Sequence, residues 1–409
     1  MNNAKNTTLF PYLERLLEGE AVEWKTLGEV GTFVRGTSFQ KKHFVEKGIG
    51  CIHYGEIYTR YGLFAKRTIS YLNEEIANKA RKAAYGDLII ATTSENDDDV
   101  CKSTVWLGTE SIVVSNDACY YHHTLNPKYV AYFFRTNEFQ KQKRAYITGT
   151  KVKRVNANDL AKITIPVPPL RVQARIVEIL DKFTQLEAEL ESELEARKKQ
   201  YAYYRDQLLN FSQCLPLNVN IEWKTLGEVC DRTKGTKITA TQMKAMHKSN
   251  APVKIFAGGQ TFALVDYNDL PQKDTYFFPS IIVKSRGIIE FEYYDKPFSH
   301  KSELWSYHTS SPDVNAKFLY YYLKTREDHF QQLGSVMQMP QISIPATENF
   351  PIPIPPLSEQ RRIVDILDRF DTLTNSISEG LPKEIALRRK QYEYYRDALL
   401  NFPRAEVTA

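Results

Sequence analysis

The 409-residue sequence predicts two mixed α/β (α+β) globular domains joined by two long helices that pack as an antiparallel coiled coil. The whole is an internal repeat with pseudo-twofold symmetry. Three observations predict this class. Three short blocks recur in the same order, the segments enclosed by the first and second blocks are unlike each other, and the last two blocks of each copy carry an apolar stripe at helical spacing.

The first block is "VEWKTLGEV" at 22–30 and "IEWKTLGEV" at 221–229, identical at eight of nine positions. The second, "VPPLRVQARIVEILDKFTQL" (167–186) and "IPPLSEQRRIVDILDRFDTL" (354–373), matches at 12 of 20. The third, "RKKQYAYYRDQLLNF" (197–211) and "RRKQYEYYRDALLNF" (388–402), matches at 12 of 15. Between the first and second blocks no similarity is legible.

The predicted boundaries follow: an N-terminal helical segment 1–22, a first domain 23–168, a long helix 169–215, a second domain 216–353, a second long helix 354–402 and a tail 403–409. In the domains, "GDLIIAT" (86–92), "SIVVS" (111–115), "PVKIFAG" (252–258) and "SIIVKSRG" (280–287) read as buried strands bounded by turns. "NPKYVAYFFRTNEFQKQ" and "NAKFLYYYLKTREDHFQQ" occupy equivalent places and each predicts one amphipathic helix. The two domains are expected to share a fold and differ in surface.

The stripe Ile176, Leu180, Phe183, Leu186, Leu190, Leu194, Tyr201, Tyr204, Leu208 and Phe211 recurs every three or four residues. Its counterpart runs through Ile363, Leu367, Phe370, Leu373, Ile377, Ile385, Tyr392, Tyr395, Leu399 and Phe402. Each Pro-Pro pair marks where extended chain turns into helix. One apolar stripe per helix suits two seams buried against each other. About 40 helical residues span roughly 60 Å, a ruler between two heads. The copies differ in mid-helix: the first has "EAELESEL" (187–194), and the second has "SEGLPKE" (378–384), where Gly380 and Pro382 predict a break.

Composition sets the class. Hydrophobic residues make up 42% and aromatics 12%, which suits a globular chain rather than a disordered one. No apolar run approaches the roughly 18 residues of a membrane span, and "MNNAKNTTLFPYLERLL" lacks a secretory apolar core, so a cytoplasmic protein is expected. Cys51, Cys101, Cys119, Cys214 and Cys230 form no CxxC pair and read as reduced, packed thiols without a metal. The net charge is +5. Residues 23–166 hold 21 Lys/Arg against 15 Asp/Glu, while 222–353 hold 15 against 14; charge therefore permits a nucleic acid partner without requiring one.

No catalytic pattern emerges. GxxxxGK[ST] and GxGxxG are absent, and "FAGGQ" (256–260) is too short a glycine cluster for a nucleotide. "NPKY" (126–129) lacks the second proline of an amino-methyltransferase tetrapeptide and starts a helix instead. "ENDDD" (95–99) could hold a divalent ion, but adjacent loop carboxylates are more often solvated. "PDVNAK" (312–317) lacks the second acid of a nuclease site, and His122 and His123 read as flanking a strand. No catalytic residue and no metal site are assigned.

At the paired "PPL…Q…RIV.ILD.F" and "RK.QY.YYRD.LL.F" blocks the sequence resembles specificity subunits of type I restriction-modification enzymes, especially the branch called type IC. The resemblance spans nearly the whole chain. It implies that each variable segment is a target recognition domain reading one half of a split, asymmetric DNA site, and that the helices separate the two. It further implies a subunit without chemistry of its own and without bound cofactor. Two methyltransferase subunits that bind S-adenosylmethionine would dock on it, and restriction motor-nuclease subunits using ATP and Mg would join them. The four-residue units of "EAELESEL" would tune the spacer. The sequence departs from the pattern where Arg171 and Val172 stand in place of the Ser358 and Glu359 of the second copy, which puts equivalence of the two docking surfaces in doubt. Two competing readings stay open: a protein-binding scaffold, and a self-sufficient methyltransferase-nuclease.

DNA reading needs cations for phosphates and Arg, Lys, Asn or Gln side chains for base edges. The candidates are Arg35, Lys41, Lys42, Tyr54, Arg60, Lys151, Lys153 and Arg154 in the first domain. In the second they are Lys234, Lys237, Gln260, Lys284, Arg286, Gln338 and Gln341. In the repeated "QY.YYRD", Tyr201, Tyr204, Tyr392 and Tyr395 lie on the seam and read as core. Tyr203, Arg205, Tyr394 and Arg396 face elsewhere, as contacts duplicated for two identical partners would.

Overall fold

A computed structural model describes residues 10–211, 221–334 and 339–404. The chain divides into two compact units, 1–191 with 384–409, and 192–383. Each unit therefore takes its second repeat block from its own copy and its third block from the other copy.

In the first unit the opening repeat block forms strand Glu23–Thr26, which pairs antiparallel with Thr164–Val167 just before the Pro-Pro pair. Glu29 closes a capping box with Thr26, which fixes the chain's exit from that strand. A five-stranded sheet follows in the order Gly31–Arg35, Ala118–His123, Leu88–Ala91, Ser103–Trp106, Phe64–Ala65. Leu88–Ala91 is buried on both faces, as its unbroken apolar run requires. A second sheet holds the parallel pair Ile49–Ile52 and Ile112–Val114.

The second unit repeats this plan. Glu222–Thr225 pairs with Pro351–Ile354, and its main sheet runs Cys230–Arg232, Trp305–Thr309, Ser280–Lys284, Glu290–Tyr294. Its smaller sheet again contains a parallel pair, Val253–Phe256 with Phe298–His300. Two segments without legible sequence similarity thus share the order and direction of four main-sheet strands; the fifth strand of the first unit, Phe64–Ala65, has no counterpart among the described residues.

Helix α1 (Pro11–Leu17) opens the described chain. Helix α2 (Pro127–Phe133) is capped by Asn126 with Pro127 in its first turn, and its counterpart has Asn315 in the same place. The single amphipathic helix predicted after each asparagine is in fact two. The Thr136 hydroxyl accepts from Phe139 N and donates to Phe133 O, so it caps a new helix Asn137–Arg144 and ends the first. Unit two breaks likewise at Thr325, whose hydroxyl donates to Tyr322 O.

Helix α3 (Leu170–Leu209) runs unbroken through 40 residues. Val172, Ile176 and Leu180 anchor its start in the core of the first unit and Leu209 its end in that of the second; no residue from 181 to 208 is fully buried. A two-helix pair buries only one face, so the stripe continues half-covered. Helix α4 (Ala316–Lys324) is the counterpart of α2. Helix α5 (Leu357–Asn375) ends at Ser376, and α6 (Gly380–Leu399) begins at Gly380 with φ +75°, placing Pro382 in its first turn.

Within the first unit, Phe183 stacks on Tyr395 at 5.3 Å while Arg389 reaches Glu187 and Glu191 at 2.7 and 3.1 Å. Rising numbers on α3 meet falling numbers on α6, which makes the pairing antiparallel. Within the second, Tyr201 and Tyr204 stack on Phe370. Tyr204 keeps 41% of its surface exposed and is only a partial seam residue.

The repeated glutamine and aspartate of the second block tie helix to domain. Gln173 Oε1 accepts from Asn126 N, and Gln360 Oε1 from Asn315 N. Asp181 accepts from Lys128 and Tyr132, and Asp368 from Lys317 and Tyr321. Arg171, the departure from the repeat, donates to the carbonyls of Leu16 and Leu17 and pairs with Glu18 and Glu20. It holds the C-terminus of α1, where a cation is favoured. In the second copy Arg171's counterpart is Ser358, and Glu359, opposite Val172, pairs with Arg362 on its own helix.

Cys51, Cys101, Cys119 and Cys230 are buried free thiols; Cys214 lies outside the described residues. Among those residues no helix is long and apolar enough to cross a membrane.

Candidate nucleic-acid interface

Five residues after the first repeat block, where the first main-sheet strand ends or has just ended, each unit has the same tripeptide type, Arg35-Gly36-Thr37 and Lys234-Gly235-Thr236. In both, the threonine forms a parallel bridge to the neighbouring strand, Thr37 with Ser115 and Thr236 with Lys301. Thr37 N donates to Val114 O and Thr236 N to His300 O, each at 2.8 Å. A Cβ at Gly36 would overlap Ser115 O, and one at Gly235 would overlap Lys301 O; only glycine lets the backbones approach so closely. Arg35 and Lys234 are thereby presented, exposed, at equivalent positions.

A second pairing also recurs. Strand Lys153–Arg154 pairs with Thr93–Ser94, setting Arg154 opposite Thr93, and Val155 N donates to Thr92 O. In the second unit Arg286 bridges Gln341, and Ile342 N donates to Ser285 O. Arg35, Thr92, Asn116, Thr148, Arg154 and Asn156 line one cleft of about 320 Å³ in the first unit, with Arg35 Nε donating to Asn116 O at 3.5 Å. Of the first-domain candidates, Arg35 and Arg154 line this one cleft.

The other candidates fall as follows. Lys41 and Lys42 sit exposed on a short 3₁₀ turn, Tyr54 begins the helix Tyr54–Thr59 half-buried, and Arg60 ends it exposed. Lys151 is exposed. Lys153 is three-quarters covered and paired with Asp97 at 3.1 Å. The acidic loop is wired into the protein: Asp98 pairs with Arg144, Asp99 with Asn96, and the buried Lys143 ammonium donates to the carbonyls of Asp98 and Val100. Lys237 is exposed, and Gln260 caps an exposed hairpin tip, reaching Glu290 at 3.5 Å. Gln338 lies outside the described residues.

Lys284 is a correction. It is 4% exposed and lies between Glu290 and Glu292 at 3.2 and 3.0 Å. Burial pulls its pKa down, but the hydrogen bonds and charges of the two carboxylates outweigh this and leave it above the ordinary lysine value. Its position at the end of a fully buried strand turns it inward, so the exposed cation of that loop is Arg286 alone.

On the helices, Tyr203 and Tyr394 are exposed at 62% and 64%. Arg205 and Arg396 are less outward than their spacing predicts. They lie beside the Tyr201 and Tyr392 rings and pair with Asp206 and Asp397, with side chains 29% and 11% exposed. Next to them are two clefts in equivalent places but of different chemistry. Asp206, Asn210, Thr325, Arg326 and Asp328 line one of about 360 Å³. Thr136, Asn137, Lys141, Asp397 and Asn401 line one of about 210 Å³, where Asn137 donates twice to Asp397.

Sequence reading missed that the two basic-Gly-Thr turns are one feature. The signal was their common offset from the first block. Arg154 and Gln341 were likewise aligned, each standing fourteen residues before its Pro-Pro pair (154 to 168, 341 to 355). Asn116 and Arg326 carried no signal of their own.

The family model for the type I restriction modification DNA specificity domain matches residues 20–196 and 218–387. A type I restriction enzyme specificity subunit of Escherichia coli is 34% identical over 97% of this chain and 98% of its own length. One of Haemophilus influenzae is 31% identical over 96% and 98%. A type I specificity subunit of Mycoplasma pneumoniae is 31% identical over 58% of this chain but 92% of its own. In fold, the type I restriction-modification S subunit of M. genitalium is similar with TM-score 0.57 and 14% identity, covering 94% of this chain and 97% of that one.

Proposed function

Because the chain belongs to the type I restriction-modification DNA specificity family, we propose that it is the non-catalytic DNA-reading subunit of a methylating and cleaving complex in the cytoplasm. The head of each unit reads one half of a split, asymmetric double-stranded site. Helices α3, α5 and α6 set the spacer and offer docking surfaces to two methyltransferase subunits, which bring S-adenosylmethionine for adenine-N6 methylation. Restriction subunits using ATP and Mg complete the complex for cleavage.

One observation carries this reading: a repeated frame holds two sheets with four strands in the same order, and their exposed cations stand at the same turn but differ in the paired loops. Common positions serve what any two DNA segments share, and different side chains serve a target whose halves differ.

The test maps modified adenines genome-wide in a host expressing this chain with its methyltransferase partner, beside a host lacking this chain. The expected result is a split motif with adenines modified on both strands, absent from the control. No difference, with the partner shown to be active, would overturn the reading in favour of a scaffold. For docking, Arg205→Ala with Arg396→Ala is expected to weaken co-purification of the methyltransferase subunits. Undiminished recovery would remove these arginines from the interface.

A further inference from the structure

Two domains of one fold that read different sequences should keep the groups that hold the DNA backbone and exchange the groups that read base edges. The structure separates two such classes. At the shared turn the cation is Arg35 in one unit and Lys234 in the other, on the same glycine-locked backbone. An arginine fork and a lysine point charge are interchangeable toward a phosphate but not toward a base edge that demands two parallel hydrogen bonds. At the paired loops the backbone rungs are again alike, but the side chains are exchanged. Thr93 faces Arg154 in the first unit, and Arg286 faces Gln341 in the second, so the arginine stands on opposite strands of the same rung.

From this we infer that Arg154 and Arg286 are the base-reading arginines of the first and second half-sites, each recognising a guanine edge, and that Arg35 and Lys234 are the matching phosphate anchors. The inference rests on the DNA-specificity reading above and gives its residues separate roles. The local backbone supports it. Arg154 N and O both bond Thr148 at 2.9 Å, and Gly287 N, beside Arg286, donates to Pro340 O at 2.8 Å. Each arginine therefore projects from a fixed rung rather than a free loop, as specific reading requires. Their basic neighbours are already engaged, Lys153 by Asp97 and Lys284 by Glu290 and Glu292. Among the described residues no ion pair holds either arginine.

The experiment uses the complete complex with its methyltransferase subunits and maps modified adenines for the parent and for Arg154→Lys, Arg154→Gln, Arg286→Lys, Arg286→Gln, Arg35→Lys and Lys234→Arg. Each Arg154 variant is expected to lose roughly tenfold to hundredfold preference at one base-pair position of one half-site. The other half-site should remain as it was. The Arg286 variants should do the same in the other half. Any change in modification caused by Arg35→Lys or Lys234→Arg should be uniform across sites and relax no position of the motif. An unaltered motif in the Arg154 and Arg286 variants, or full rescue of specificity by lysine there, would overturn the inference while leaving the subunit's role intact. Uniform loss of modification with no relaxed position would assign these arginines to the backbone and also overturn it. Absence of any split motif for the parent complex would bring down the underlying reading and this inference with it.

Discussion

Insertion of one further four-residue unit, Glu-Ser-Glu-Leu, after Leu194 is expected to lengthen the spacer between the half-sites while leaving both half-sites as they are. The insertion falls where α3 has no fully buried residue, between 181 and 208. It leaves the Phe183–Tyr395 stack and the Arg389 pairs to Glu187 and Glu191 intact in one unit, and the stacks on Phe370 intact in the other. Four helical residues advance about 6 Å and turn about 400°, a net rotation of about 40°. One base pair advances about 3.4 Å and turns about 34–36°. The rotation matches one base pair closely and the advance exceeds it by less than one more, so an increase of one base pair is expected. Three inserted residues would turn the helix by about −60° and five by about +140°, neither of which matches a small change in spacer. The assay is the map of modified adenines for the parent and the three insertions. Undiminished modification of the old site by the four-residue variant would refute the reasoning, as would equal activity of all three insertions.

Other consequences concern stability and the anchoring turn. Burial pushes the pKa of His300 down to about 4 from 6.5, so between these values the unfolded chain binds more protons than the folded one. Stability is then complete above about pH 6.5 and falls as the pH drops, by about 2 kcal/mol between pH 7 and pH 5; urea unfolding of the full chain should show a smaller loss for His300→Gln. The His300 ring bonds Thr233 and its carbonyl bonds Thr236 N, so acid should weaken the turn bearing Lys234. Gly36→Ala and Gly235→Ala each force a Cβ into a backbone carbonyl and should cost about 1–3 kcal/mol or more. Gly258→Ala, where nothing lies within 4 Å, should be nearly neutral in the same unfolding assay. Lys284→Met leaves Glu290, about one-third exposed, without its cation while Glu292 keeps Lys254 at 3.0 Å, and should cost about 1–3 kcal/mol, less than breaking a fully buried pair. It should leave the salt dependence of DNA binding unchanged; a fall in slope of about one would restore Lys284 as a phosphate contact.

The sequence by itself determined the repeat, the long helices and the absence of similarity between the enclosed segments, because periodicity and local identity are one-dimensional properties. "EWKTLGEV" specifies a strand and a capping box wherever it occurs, and the apolar stripe with its Pro-Pro start specifies a helix. The Thr136 cap lay inside an apolar pattern and was overridden in reading by that pattern. Only the tertiary structure decided which cations reach a common surface. Lys284, Arg286 and Lys153 look alike in a basic loop, but a strand buried at every position and the carboxylates across it hold Lys284 inside, and Asp97 engages Lys153, a distant residue that spacing cannot weigh. The kinship of the two heads was expected from their equivalently placed asparagine-capped segments, but what carries it was not legible along the chain. What they share is strand order and two backbone pairings, and hydrogen bonds between main-chain groups place almost no demand on side-chain identity except glycine where two backbones meet.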